Sequence, residues 1–267
     1  MPIEVVYERR GRGTPLVLLH GIGHRWQAWE PVLDRLAGHH DVIAVDLPGF
    51  GASPLVADRE YTMPAAVAMA AEMFESFGLD RPHVAGNSLG GVLALELASQ
   101  GLVSSATALA PAGFWNAGGR AWALGLLTVL RLTGRAPGWL RTAFVHGRPT
   151  RLLAAGMLFG KPARLSAEMV LADLDAFVGC TAFDLVARAG RDYTFASPAP
   201  TVPVTVGWGT RDRILWPRQA RRAAELLPGA EHVLLTGCGH IPMGDDPDRV
   251  AGLIIDTCAR TTLDTAA

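Results

Sequence analysis

The chain has 267 residues, 49% hydrophobic and 18% charged, a balance that excludes a disordered or fibrous chain and suits one large domain or a core with an insertion. A formal net charge of -1 leaves no basic excess to neutralise a phosphate backbone or an anionic membrane surface. The expected partner is therefore a small-molecule substrate, with no nucleic acid and no membrane, and nothing in the sequence speaks for an oligomeric state.

The first apolar runs, residues 3–7 and 16–19, read as strands, and the second leads into His20-Gly21-Ile22-Gly23. Such a strand-to-loop transition can offer a backbone N–H to an oxyanion, which makes Ile22 one expected donor. His20 is expected to hold this loop by hydrogen bonds and not to transfer protons. Residues 42–45 form the next strand-like run. Thr62 followed by Pro64 then starts a helix whose apolar positions Val67, Ala70, Ala71 and Phe74 recur at helical spacing.

The strand-like run 83–85 passes into Gly86-Asn87-Ser88-Leu89-Gly90-Gly91, and helix-forming residues 92–98 follow directly. A serine between strand and helix sits on a sharp turn that demands small flanking residues and pushes its hydroxyl into the open. The helix start behind it presents unpaired N–H groups and the positive end of a dipole, which gives Leu89 as the second oxyanion donor. Ser88 is the candidate nucleophile.

After the run 106–109 the alternation of strand and helix breaks. Residues from about 114 to 197 hold several helix-like segments and no convincing strand, so they read as a helical insertion. Its most apolar stretch, 121–130, is far short of the roughly 20 residues a bilayer requires and is expected to be a buried helix. Pro198, Pro200 and Pro203 mark an extended return to the sheet. The predicted organisation is an α/β core over 1–113, a helical lid insertion over 114–197 and the second part of the core over 198–267. Its sheet is expected to be mostly parallel, with helices on both faces.

A serine hydroxyl is a poor nucleophile near neutral pH and needs a base whose tautomer a third group fixes. The run 202–208 is followed by Gly209-Thr210-Arg211-Asp212, and the run 232–235 by Gly237-Cys238-Gly239-His240. Asp212 and His240 thus stand on loops after strands, and the chain order is Ser, Asp, His. Asp212 has the alternative of capping a helix that begins near Pro217. His39, His40, His83 and His232 read as solvated, while His24 and His146 stay open as substrate contacts. Asp245, Asp246 and Asp248 read as caps and solvated acids ahead of the last helix. Cys180, Cys238 and Cys258 lack metal-ligand spacing and no charged-then-apolar leader precedes the first strand, so a cytoplasmic location is expected. No phosphate-cradling loop or metal cluster is seen, and no cofactor is expected.

Taken in order, the His20-Gly21 pair, the segment Asp46-Leu47-Pro48-Gly49-Phe50-Gly51-Ala52-Ser53, the turn at Ser88, Trp208-Gly209 to Asp212, and Gly239-His240 resemble the landmarks of the α/β-hydrolase superfamily. The resemblance covers the core at both ends of the chain. It implies that the insertion is a lid over the active site, that Asp46 is structural, and that Phe114 and Trp115, where the lid begins, are candidate pocket walls. Ser88 disfavours the branches with an aspartate nucleophile. Gly86-Asn87-Ser88 and Cys238-Gly239-His240 are similar to the carbon–carbon bond hydrolases that cleave ring-fission diketones, although Ile241 stands where those enzymes usually carry tryptophan. A lid arginine, among them Arg120, Arg148, Arg188 and Arg191, could hold a carboxylate in that chemistry.

The leading expectation is a serine hydrolase that cleaves a small, largely hydrophobic ester, thioester or lactone through an acyl-serine. Carbon–carbon hydrolysis of an acidic diketone is the alternative on the same core. A protein that binds a small molecule with slow or absent turnover is the alternative of a different class.

Overall fold

The computed structural model of the chain describes residues 3–264. Seven short runs become strands: β1 (Tyr7–Arg10), β2 (Pro15–Leu19), β3 (Asp41–Val45), β4 (His83–Asn87), β5 (Ser105–Leu109), β6 (Val204–Gly209) and β7 (Glu231–Leu235). They form one sheet in the order β1-β3-β2-β4-β5-β6-β7, in which β1 is antiparallel to β3 and every other pair is parallel.

The apolar runs are continuous because both faces are covered. In β2, Val17 and Leu19 point into one core with Val84, Val92 and Phe74, while Leu16 and Leu18 point into the other with Trp29, Leu33 and Ile254. All four β2 side chains are fully buried, which stabilises the fold by about 2 kcal/mol each.

The first strand lies further along than the run 3–7. The ladder uses Tyr7–Arg10, whose Glu8, Arg9 and Arg10 belong on a sheet edge. Arg9 bonds Asp41, and Arg10 reaches Glu30 and Asp34. An apolar pattern is a poor guide at such an edge because one side of the strand faces water.

The helices are α1 (Glu30–Ala37), α2 (Met63–Ser76), α3 (Leu89–Ser99), α4 (Ala117–Gly134), α5 (Gly138–His146), α6 (Arg148–Ala155), α7 (Ala167–Gly179), α8 (Phe183–Ala189), α9 (Gln219–Leu226), α10 (Pro242–Asp245) and α11 (Pro247–Asp264). Of the expected stripe in α2, Val67, Ala70 and Phe74 are buried and Ala71 is half-buried, and Met69 and Met73 join the buried set. Helices α2 and α3 cover one face of the sheet, and α1 and α11 the other.

Between β5 and β6 the described residues form helices and no strand. Here α4 departs from the expectation of a buried helix. Trp122 and Val129 are exposed, whereas Arg131 is buried, donates to Cys180 O at 2.7 Å and lies over the Phe183 ring. The main helical neighbour of α4 is α7, and Val129 and Leu132 stay uncovered beside it. No helix among the described residues is long and apolar enough to cross a membrane.

His40 and His83 also depart from expectation, being buried. Their rings meet edge to face, His40 Nδ1 shares a 2.9 Å hydrogen bond with Thr14 Oγ1, and His83 Nδ1 shares one of 2.8 Å with Ser105 Oγ. Burial pushes the His83 imidazole down to about 4.

Candidate active site

The loops at the carboxyl ends of β2, β4, β6 and β7 converge on one crevice, where open α/β sheets place their ligands. The turn after β4 is sharp. Ser88 has φ 55° and ψ -110°, a conformation that costs a residue with a Cβ about 1–3 kcal/mol. It is held there by Ser88 N–H donating to Leu109 O at 2.9 Å and by Ala112 N–H donating to Ser88 O at 3.1 Å.

The two flanking glycines answer to space. A Cβ on Gly86 would lie 2.0 Å from Gly90 O, and one on Gly90 would lie 2.1 Å from Leu19 O, so only glycine fits either position. This close approach is the physical content of the G-x-S-x-G pattern.

His240 follows β7. Its Nδ1–H donates to Asp212 Oδ2 at 2.8 Å, which leaves Nε2 as the acceptor. The Asp212 carboxylate is buried, and its other oxygen accepts from Ile214 N–H at 2.9 Å and Leu215 N–H at 2.8 Å. Asp212 caps no helix, since α9 begins only at Gln219 with Arg218 before it; one oxygen holds the turn at Ile214 and Leu215 and the other meets the imidazole.

On the other side of Ser88, His20 Nδ1–H donates to Gly21 O at 2.8 Å and His20 Nε2 accepts from Leu47 N–H at 3.0 Å. Both ring nitrogens are committed to the loop, and burial holds this imidazole neutral, down to about 3. Gly90 N–H is tied to His20 O at 3.2 Å, whereas the N–H groups of Ile22 and Leu89 have no acceptor among the described residues. Asp46 accepts from Trp26 N–H at 2.6 Å and Ala52 N–H at 2.8 Å, a role in holding turns together.

Three contributors to the histidine loop carried no signal of this role in the sequence. Asn87 Nδ2 donates to His240 O at 2.9 Å and Leu109 O at 3.1 Å. Leu158 O, from the helical region, accepts from His240 N–H at 2.7 Å. Asp245 is a correction: it is fully buried, not a solvated cap, and its carboxylate accepts from Gly239, Gly160 and Lys161 N–H, each at 2.7 Å. Cys238, two residues before His240, is a poor nucleophile, since burial pushes its thiol up to about 11.

Two apolar cavities share Ile22, Ser88 and Leu127 as wall residues. The smaller, of about 310 Å³, is walled by Phe50, Leu89, Val92, Trp115 and Tyr193 among others. The larger, of about 530 Å³, runs past His24, His240, Leu130, Phe144 and Phe159. Trp115 thus lines a cavity, with its indole N–H donating to Tyr193 O at 3.0 Å. Phe114 is a correction. It lines neither cavity, being sealed in the core against Phe195 and against Trp208 of β6. Arg120, Arg148, Arg188 and Arg191 line neither cavity; Arg141 does, already paired with Asp175. His24 lines the larger cavity and His146 neither. No group of three or more His, Cys, Asp or Glu among the described residues is arranged to hold a metal ion.

The model of the alpha/beta hydrolase family matches residues 16–253. Lipase 3 of Moraxella sp. (strain TA144) is 25% identical over 237 residues, which cover 86% of this chain and 73% of the lipase. Among solved structures, a bacterial membrane phospholipase A superposes with a TM-score of 0.77 at 24% identity, covering 97% of this chain and 84% of that one. The meta-cleavage product hydrolase CumD of Pseudomonas fluorescens IP01 gives 0.77 at 18% identity, covering 97% and 95%.

Proposed function

The chain belongs to the alpha/beta hydrolase family, and from that premise we propose that this hydrolase cleaves a largely hydrophobic carboxylic ester, thioester or lactone through an acyl-serine intermediate. The observation that carries the proposal is the His240–Asp212 hydrogen bond of 2.8 Å, with His240 and Ser88 on the wall of the same cavity. Ser88 Oγ attacks the carbonyl carbon while His240 Nε2 takes its proton, and Asp212 stabilises the resulting imidazolium. The free N–H groups of Ile22 and Leu89 receive the oxyanion. Collapse breaks the bond to the leaving group, which leaves with the proton from His240. Water, deprotonated by the same nitrogen, then releases the acid and restores Ser88.

The cavities give the substrate a direction. His240 belongs to the larger cavity alone and Leu89 to the smaller alone, so the leaving group lies in the larger and the acyl group in the smaller. The helical residues 114–197 act as a lid that walls both and excludes water. The ester reading is favoured over the acidic diketone because the one arginine on the cavity walls, Arg141, is already neutralised by Asp175. The lipase relatives point the same way. Three free cysteines support a cytoplasmic location.

The test is intact-mass detection of labelling by a fluorophosphonate probe. Labelling of the unmutated chain that is lost in Ser88→Ala and in His240→Ala is the expected result. Unchanged ester turnover by Ser88→Ala would overturn the mechanism.

A further inference from the structure

The near-zero net charge conceals an uneven distribution. Residues 114–197 carry ten Lys and Arg against five Asp and Glu, while the rest of the chain carries 14 against 20. Within the insertion the split is sharper still, because no acidic residue occurs between Glu96 and Glu168. Residues 117–155, which span α4, α5 and α6, hold six arginines and no carboxylate. Two of the three acids on α7 are neutralised, Asp173 by Arg25 and Asp175 by Arg141. Arg135 and Arg148 are exposed and have no acidic partner among the described residues.

The same helices expose apolar side chains that a soluble surface normally covers. Trp139 is 74% exposed, Leu153 72% and Leu132 58%, and of the nine residues of α5 only Val145 is buried. Single exposed leucines are ordinary, but a run of them on adjoining helices marks a surface that meets something. Leu140, Phe144 and Leu153 are at once exposed and part of the wall of the larger cavity, so that cavity reaches the surface within this patch. Val129, Leu132 and Trp139 stand beside the wall residues Leu130, Thr133 and Leu140 in sequence.

Arginines beside a tryptophan and exposed leucines, with no acid among them, combine the two attractions that draw a helix into a lipid–water interface: charge for anionic headgroups and apolar area for the acyl boundary. We propose that the face formed by α4, α5 and α6 docks on an anionic lipid surface, with the mouth of the larger cavity turned toward it. A hydrophobic molecule dissolved in the lipid then enters the cavity without crossing water. An acidic protein would satisfy the arginines but would not call for this much bare apolar surface, so the lipid surface is the better occupant. Docking does not depend on the hydrolytic reading, since Ser88 lies outside the face.

The test is co-sedimentation of the full chain with vesicles of phosphatidylcholine alone or mixed equally with phosphatidylglycerol, at low and high salt. Binding to the mixed vesicles, weak binding to the neutral ones and release by salt are expected. The double variant Arg135→Gln with Arg148→Gln should lower the partition coefficient about 25-fold, at about fivefold per arginine. Trp139→Ser should lower it for both vesicle types. These residues are exposed and line neither cavity, so circular dichroism and turnover of a water-soluble short-chain ester should be unchanged. Failure to bind mixed vesicles overturns the proposal, as does binding that ignores lipid charge and all these substitutions. Binding to immobilised poly-glutamate while the vesicles stay bare would assign the face to an acidic protein and overturn it equally.

Discussion

Helices α3 and α4 are both rich in apolar residues, yet they are used in opposite ways. From Gly90 to Ala98, α3 is wholly buried, wedged between α2 and the strands β2, β4 and β5. In α4 the buried positions are Gly119, Ala123, Arg131 and Gly134, while Trp122, Val129 and Leu132 stay exposed. Apolar composition therefore does not determine burial; the number of neighbours around the helix does. In the core such residues hold the molecule together, and in the insertion they form cavity wall and open surface.

This contrast can be sharpened by substitution, beginning with the turn that α3 supports. On the proposed mechanism Ser88→Ala should lower kcat about a million-fold in a continuous ester assay, with the melting temperature unchanged or raised, since the strained φ does not serve stability. Asp212→Asn keeps the shape but no longer fixes the His240 tautomer, and should cost about 10,000-fold in kcat. Leu95→Ala in α3 should destabilise by about 2–5 kcal/mol in urea unfolding, whereas Leu132→Ala in α4 should stay within about 0.5 kcal/mol. Equal losses at the two positions would break the contrast.

The pH dependence belongs to the core alone. His20 and His83 are buried neutral, at about 3 and about 4, below the value near 6.5 of an unfolded histidine. Below pH 6.5 the unfolded chain binds the extra protons, so the stability these groups contribute is present above that pH. It is lost as pH falls toward 4, by about 1.4 kcal/mol per unit for each histidine. His20→Gln and His83→Gln together should flatten the melting-temperature profile in that window.

The same contrast explains what could be read in advance. The parallel strands are continuous apolar runs because both faces are covered, and the turn at Ser88 is legible because its two glycines face backbone atoms close by. His240 and Asp212 sit directly after strands, where position along the chain fixes position in space. What stayed hidden depends on contacts between distant segments. Phe114 and Trp115 are adjacent, yet one is sealed in the core and the other faces a cavity. Asp245 resembles its neighbours Asp246 and Asp248 in sequence and differs only in what folds over it. His40, just ahead of β3, and His83, in β4, pack on each other although they are far apart in the chain.

Asp245 has a practical consequence for re-engineering this scaffold. Its carboxylate binds Gly160 and Lys161 N–H on the insertion and Gly239 N–H on the histidine loop, and Leu158 O receives the N–H of His240 itself. The insertion and the loop that holds His240 are thus one mechanical piece. A graft that exchanges the insertion to change substrate scope must keep the backbone of residues 158–161, or the transplanted pocket will arrive with its histidine out of place.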